Sequence, residues 1–144
     1  VDGARLFNAS VALGLPAAEL VGNADSVTFC LSKGLACPIG SVICGSTEFV
    51  EETRKQRKIV GGEMRQTGII SAAGIVALET MIDRLVDDHA NAKRLAEGLA
   101  DINGIVIDLE KINTNIVFFE TKMKPAAGEI FWGFGIFMIL PPPC

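Results

Sequence analysis

Histidine is nearly missing: His89 is the single one in 144 residues, and the four cysteines, Cys30, Cys37, Cys44 and Cys144, form no C-x-x-C pair. That excludes the ligand spacing of a structural zinc site, and no metal site is expected. Long apolar runs are missing too. The stretch 130–140 has eleven residues, well short of the roughly 20 a helix needs to cross a bilayer, so no membrane contact is expected. Positive charge is not in excess, since 13 basic against 17 acidic side chains give −4. A net acidic chain has no general attraction to phosphate backbones or anionic lipid. Neither a basic leader nor an apolar h-region opens the sequence, so no secretory signal is read and reduced thiols in a cytoplasmic setting are expected. Gly-x-Gly-x-x-Gly, Walker and Gly-x-Ser-x-Gly motifs are absent, which removes their phosphate-binding and acyl-transfer readings. What is present is one domain's worth of chain with 49% apolar residues, enough to form a core and too apolar for disorder.

The pattern along the chain mixes helical and strand signals. Leu6, Phe7, Ala9 and the apolar residues up to Leu15 suit a short helix starting after Asp2 and ending before Pro16, with a further turn over 17–21. Ser26-Val27-Thr28-Phe29-Cys30-Leu31 reads as a buried strand stopped by Ser32-Lys33-Gly34, and 39–44 as another. The link 32–38 is shorter than the dozen or more residues of a parallel crossover, so these two strands should be antiparallel or not directly adjacent. Ser46 or Thr47 can cap a helix over 48–59 that stops at Gly61-Gly62. Apolar residues then recur near helical spacing over 65–100, predicting one long or kinked helix of the kind that links two lobes. Two short strands at 105–107 and 114–119 open a smaller α+β lobe. The apolar tail Phe131-Trp132-Gly133-Phe134-Gly135-Ile136-Phe137-Met138, closed by three prolines, shows no assignable period. It either packs on something outside the chain or is a truncated or frameshifted end.

Lys33 is the sharpest chemical feature, an amine at the end of a sheet strand just before a glycine. Burial there favours neutral lysine, the form that condenses with an aldehyde to a Schiff base. On spacing alone a solvated turn lysine is the commoner reading. Asp2 alters that balance. If residues 1–2 end one parallel strand and Lys33 follows the end of another, both side chains emerge at one sheet edge, where open α/β sheets bind ligands. A carboxylate plus a Schiff-base lysine is what pyridoxal 5'-phosphate (PLP) requires, the acid keeping the pyridine nitrogen protonated so that the ring is an electron sink. Asp2 as a helix N-cap is the alternative. Arg5, one helical turn on, projects to the same side and can meet a cofactor oxygen or a substrate carboxylate. Arg65, after Gly61-Gly62, sits at a helix start, where a cation is disfavoured unless an anion is present. The basic run 54–58 follows Glu48, Glu51 and Glu52 on one helix, an order that complements the helix dipole, so nucleic-acid binding is not expected. His89, among Asp87, Asp88 and Asn91, reads as part of a solvated face.

Three motifs together, Asp2-Gly3-Ala4-Arg5-Leu6-Phe7-Asn8, Cys30-Leu31-Ser32-Lys33-Gly34-Leu35 and Arg57-Lys58-Ile59-Val60-Gly61-Gly62-Glu63-Met64-Arg65-Gln66, resemble the low-specificity L-threonine aldolases, which are fold-type I PLP enzymes. The similarity runs from Val1 to about Lys124. It implies an α/β fold: residues 1–85 as the C-terminal half of a PLP-binding large domain with a mixed, mostly parallel sheet, 86–124 as a connecting helix and the start of a small α+β domain, and 125–144 as an atypical tail. It also implies that Lys33 holds PLP, that Asp2 pairs with the pyridinium, that Arg5 faces the cofactor oxygen and the substrate carboxylate, and that Lys58, with Arg65 nearby, lies near the cofactor phosphate. The implied activity is cleavage of L-threonine, allo-threonine or related β-hydroxy-α-amino acids to glycine and an aldehyde, in a homodimer or homotetramer. The alternatives are another fold-type I activity, a transaminase or β-eliminating lyase, or a non-catalytic remnant.

The chain departs from that family's pattern in places. The family usually has Gly-Ala where Ala36-Cys37 stand and a third glycine where Glu63 stands, so an added side chain crowds a backbone near the site. The family's phosphate-cradling loop and ring-stacking histidine have no counterpart in this sequence, and a further carboxylate-binding arginine falls where the tail differs. The resemblance therefore implies an internal piece of a longer aldolase, inactive by itself.

Overall fold

The computed structural model describes residues 1–121 and, as backbone, the strand 134–138. The chain divides into two units, Val1–Asp83 and Arg84–Cys144.

In the first unit, residues 1–4 run alongside strand β1 (Ser26–Cys30), with Asp2 bridged in parallel to Thr28. The Thr28 N–H donates to the Val1 carbonyl at 3.0 Å, the Gly3 N–H to the Thr28 carbonyl at 2.8 Å, and the Cys30 N–H to the Ala4 carbonyl at 3.3 Å. Glycine is needed at position 3 because a Cβ there would stand 3.1 Å from the Thr28 carbonyl oxygen. Helix α1 (Leu6–Leu13) follows and ends at Gly14, whose φ of 65° closes it in the left-handed form that glycine tolerates. It packs on β1 through Phe7, edge-on to Phe29 at 5.1 Å between ring centres. A one-turn helix, α2 (Ala17–Leu20), completes the link.

Strand β2 (Ser41–Gly45) pairs with β1 in antiparallel register, Ser26 opposite Gly45 and Cys30 opposite Ser41, as the short link requires. Strand β1 is half-buried, with Phe29 its buried residue, and not buried along its length as its composition suggested. Helix α3 (Thr47–Ile59) starts at the Ser46 cap, whose Oγ accepts the Phe49 N–H at 3.2 Å. Two residues of its basic run are paired within the helix, Arg54 with Glu51 at 3.0 Å and Lys55 with Glu52 at 3.3 Å.

The single long helix expected over 65–100 is two, α4 (Gly68–Thr80) and α5 (Leu85–Ala100). The Thr80 hydroxyl bonds back to the Val76 carbonyl at 2.7 Å as α4 ends, and Asp87 and Asp88 stand in the first turn of α5, where acids suit the dipole. The apolar period continues across the break, so it carried no sign of it.

In the second unit α5 buries Leu85, Asp88, Ala92 and Ala96 along one face. Ala92, Ala96 and the fully buried Val117 form its core, flanked by Leu95, Leu99, Ile107, Ile112 and Phe119. The sheet has the order β3 (Ile105–Val106), β4 (Ile116–Thr121), β5 (Phe134–Met138), antiparallel throughout. Thus part of the tail that showed no period pairs with β4; the remainder of the expectation for 125–144 lies outside the described residues. The solvated face expected around His89 holds for Asp87 and Asn91, which are exposed, and is corrected for Asp88, 2% exposed, and for His89, half-buried. Burial pushes the Asp88 carboxyl up, against the pull of Arg84, and pushes the His89 imidazole down.

Candidate active site

The turn that carries Lys33 is closed by its own backbone. The Leu31 and Ser32 N–H groups both donate to the Gly40 carbonyl, at 2.9 and 3.3 Å, the Ala36 N–H donates to the Lys33 carbonyl at 2.9 Å, and the Cys37 N–H to the Leu31 carbonyl at 3.1 Å. Leu31, Leu35 and Cys37 point inward and are buried, while Lys33 is half-buried. The Cys37 thiol donates to the Ala73 carbonyl of α4 at 3.4 Å, and burial raises its pKa. Gly74 of α4 lies close enough to Leu31 that a Cβ would meet its Cδ1 at 3.1 Å. The lysine therefore stands on a loop docked against α4 through Cys37 and Leu31. Cys37 and Gly74 are the anchors that sequence reasoning missed; neither residue type announces a docking role. Ala36 sits at a φ of 59°, a left-handed conformation that suits the glycine of the family pattern better than alanine.

The parallel pairing of residues 1–4 with β1 brings three of the expected residues to adjoining stretches of chain. Arg5 follows Ala4, the last residue bonded to β1, and holds the N-cap position of α1, while Lys33 lies three residues beyond Cys30. Asp2 lies further back, level with Thr28, and is exposed. The other two expected residues flank the end of α3. Lys58, in its last turn, is 3.6 Å from Glu63, and Arg65 is exposed in the turn before α4. Among the described residues no hydrogen bond or ion pair joins Lys58 or Arg65 to Lys33 or Asp2. A cavity of about 420 Å3 is lined by Leu31, Ile39 and Gly40 near the Lys33 turn and by Gly62, Met64 and Thr67 before α4. Its remaining walls are apolar apart from Ser41 and Ser71, and none of Asp2, Arg5, Lys33, Lys58 and Arg65 lines it.

Among the described residues no three His, Cys, Asp or Glu side chains cluster as metal ligands, and no helix is long and apolar enough to cross a membrane. The donor set does fit PLP. A primary amine, a carboxylate and several cations are the complement of an aldehyde, a protonated pyridine nitrogen and a phosphate.

Comparison with known proteins identifies the family. The model of the beta-eliminating lyase family matches residues 1–122. The low-specificity L-threonine aldolase 1 of Arabidopsis thaliana is 52% identical over 122 residues, 85% of this chain and 34% of its own length. The low specificity L-threonine aldolase of Escherichia coli K12 is 43% identical over 127 residues, 88% of this chain and 37% of its own. This chain thus spans about a third of the length of the curated relatives it matches. A crystal structure from Exiguobacterium assigned as an aromatic amino acid beta-eliminating lyase/threonine aldolase superposes with a TM-score of 0.73 at 28% identity, covering 82% of this chain and 33% of that one. One from Listeria monocytogenes assigned as an L-allo-threonine aldolase gives 0.72 at 26%, with the same coverage. The fold is accordingly the α/β fold of fold-type I enzymes, and the chain belongs to the beta-eliminating lyase family, beside the low-specificity L-threonine aldolases.

Proposed function

We propose that this chain supplies the cofactor-holding part of a PLP-dependent carbon–carbon lyase that cleaves L-threonine, L-allo-threonine or a related β-hydroxy-α-amino acid to glycine and an aldehyde. When bound, PLP supplies an aldehyde that condenses with amines and a ring that accepts the electron pair released at Cα. Lys33, through Nζ, is the covalent anchor, and its docked loop keeps the amine in one place. The Asp2 carboxylate holds the proton on the pyridine nitrogen. Arg5 receives the substrate carboxylate in a two-pronged contact, which orients the bond to be broken. Lys58 and Arg65 offer cations to the phosphate. The reading carries with it a homodimeric or homotetrameric assembly and a cytoplasmic location for the whole protein.

One observation supports this most: the parallel pairing of residues 1–4 with β1, which leads from Asp2 and from Thr28 toward Arg5 and Lys33 respectively. A second reading, β-elimination, is favoured by the family's own description. Product analysis of the whole protein separates the two. Glycine and acetaldehyde in equal amounts from L-threonine support the aldolase; an oxo acid with ammonia supports elimination and overturns it.

A further inference from the structure

Helix α3 ends by turning the chain back over its own last turn. The Gly61 N–H donates to the Lys58 carbonyl at 3.1 Å and the Gly62 N–H to the Arg57 carbonyl at 2.8 Å, with Gly61 at a φ of 77°. This double closure is the one a glycine just past a helix end permits. It returns the next residue, Glu63, to the side of Lys58, with Oε2 3.6 Å from Nζ. Five positions separate the two residues, more than the three or four that face each other along a helix, so the cap makes this pair and the helix does not. The side chains are 72% and 49% exposed, leaving both open to ions from solution. The Lys58 ammonium makes no other hydrogen bond or ion pair among the described residues, whereas Arg54 and Lys55 are held by acids one turn back.

We infer that Glu63 is a built-in competitor for the anion that Lys58 receives, so that this chain captures a phosphorylated cofactor more weakly than it would with a neutral residue at position 63. The inference rests on the reading of Lys58 as a phosphate contact. A phosphate monoester carries about −1.5 to −2 charge at neutral pH. It must take Lys58 from Glu63 and then lie beside that carboxylate. The pair is exposed, so the expected effect is modest, about two- to fivefold in affinity, the range of a surface ion pair. It should shrink as salt screens the charges.

The test is an equilibrium titration of the cofactor-free whole protein with PLP and with pyridoxal, its phosphate-free analogue, followed by absorbance. Variants are E63Q, K58M and the pair of substitutions together. E63Q is expected to tighten PLP about two- to fivefold, to leave pyridoxal unchanged, and to have a smaller effect in the K58M background, where only the repulsion from the carboxylate is relieved. An E63Q variant that binds PLP no more tightly, or that tightens pyridoxal equally, overturns the inference while the Lys58 reading survives if K58M weakens PLP. A K58M variant that binds PLP as tightly as the parent overturns the Lys58 reading and this inference with it.

Discussion

Ala36 shows how much a single backbone angle can matter in the turn that carries Lys33. Its φ of 59° costs an L-residue roughly 1–2 kcal/mol, and the conformation is held by the Ala36-to-Lys33 and Cys37-to-Leu31 hydrogen bonds around it. Ala36→Gly removes that strain and gives back part of the gain as chain entropy in the unfolded state. The substitution is expected to stabilise the protein by about 0.5–1 kcal/mol, read as a higher denaturant midpoint with unchanged slope. A lower midpoint would mean that the loop depends on the alanine methyl. Asp88 makes a second prediction at this scale. Its pKa is raised chiefly by burial, so the folded state prefers it protonated, and its contribution is most favourable below the ordinary carboxylate range and is lost as pH rises through the folded value. His89, lowered by burial, acts in the opposite sense, losing stability as pH falls through the imidazole range. Asp88→Asn is therefore expected to raise stability at pH 7 by about 1 kcal/mol and to remove the relative gain in acid. Thermal unfolding across pH 4–7 checks both, and a lower melting point at pH 7 would show that the attraction to Arg84 outweighs desolvation.

At the scale of elements, the pairing of residues 1–4 with β1 places Asp2 and Arg5 beside the strand that leads to Lys33. It depends on Gly3, because the atom a Cβ would meet is a backbone oxygen of Thr28, which cannot swing aside as a side chain can. Gly3→Val is expected to cost about 1–3 kcal/mol and to lower cofactor retention; a variant with parental melting and cofactor content would show that the pairing tolerates a side chain. Much of this level was legible in the sequence. The strand before Ser32-Lys33-Gly34, the helix capped at Ser46 and closed at Gly61, and the antiparallel pairing all follow from local signals: β-branched runs, a cap residue, glycine after a helix and a short link. The break between α4 and α5 was not, because apolar spacing registers a face and continues unbroken where the backbone turns. Strand β5 was not either, since its pairing with β4 is a long-range contact and its own alternation is masked by Gly133, Gly135 and neighbouring aromatics.

For the whole molecule, two units with separate cores account for features that looked contradictory along the chain. A carboxylate in a charged-looking segment, Asp88, is buried on the same face of α5 as Leu85, Ala92 and Ala96. Asn115 is likewise fully buried, with neither end of its amide paired among the described residues, a burial that composition cannot signal. The residue types of Asp2, Arg5 and Lys33 and their order suggested one chemistry, beside the alternatives of a solvated turn lysine and an N-cap aspartate. The Lys58–Glu63 pair was not legible in the sequence, because it arises from a helix cap that returns the chain on itself. The proposed chemistry turns on one amine. Borohydride reduction of the purified whole protein with PLP, followed by mass spectrometry of its peptides, is expected to find a pyridoxyl group on Lys33, and none on any residue in Lys33→Ala. A label on a different lysine of the parent, or an equal label in Lys33→Ala, would contradict it.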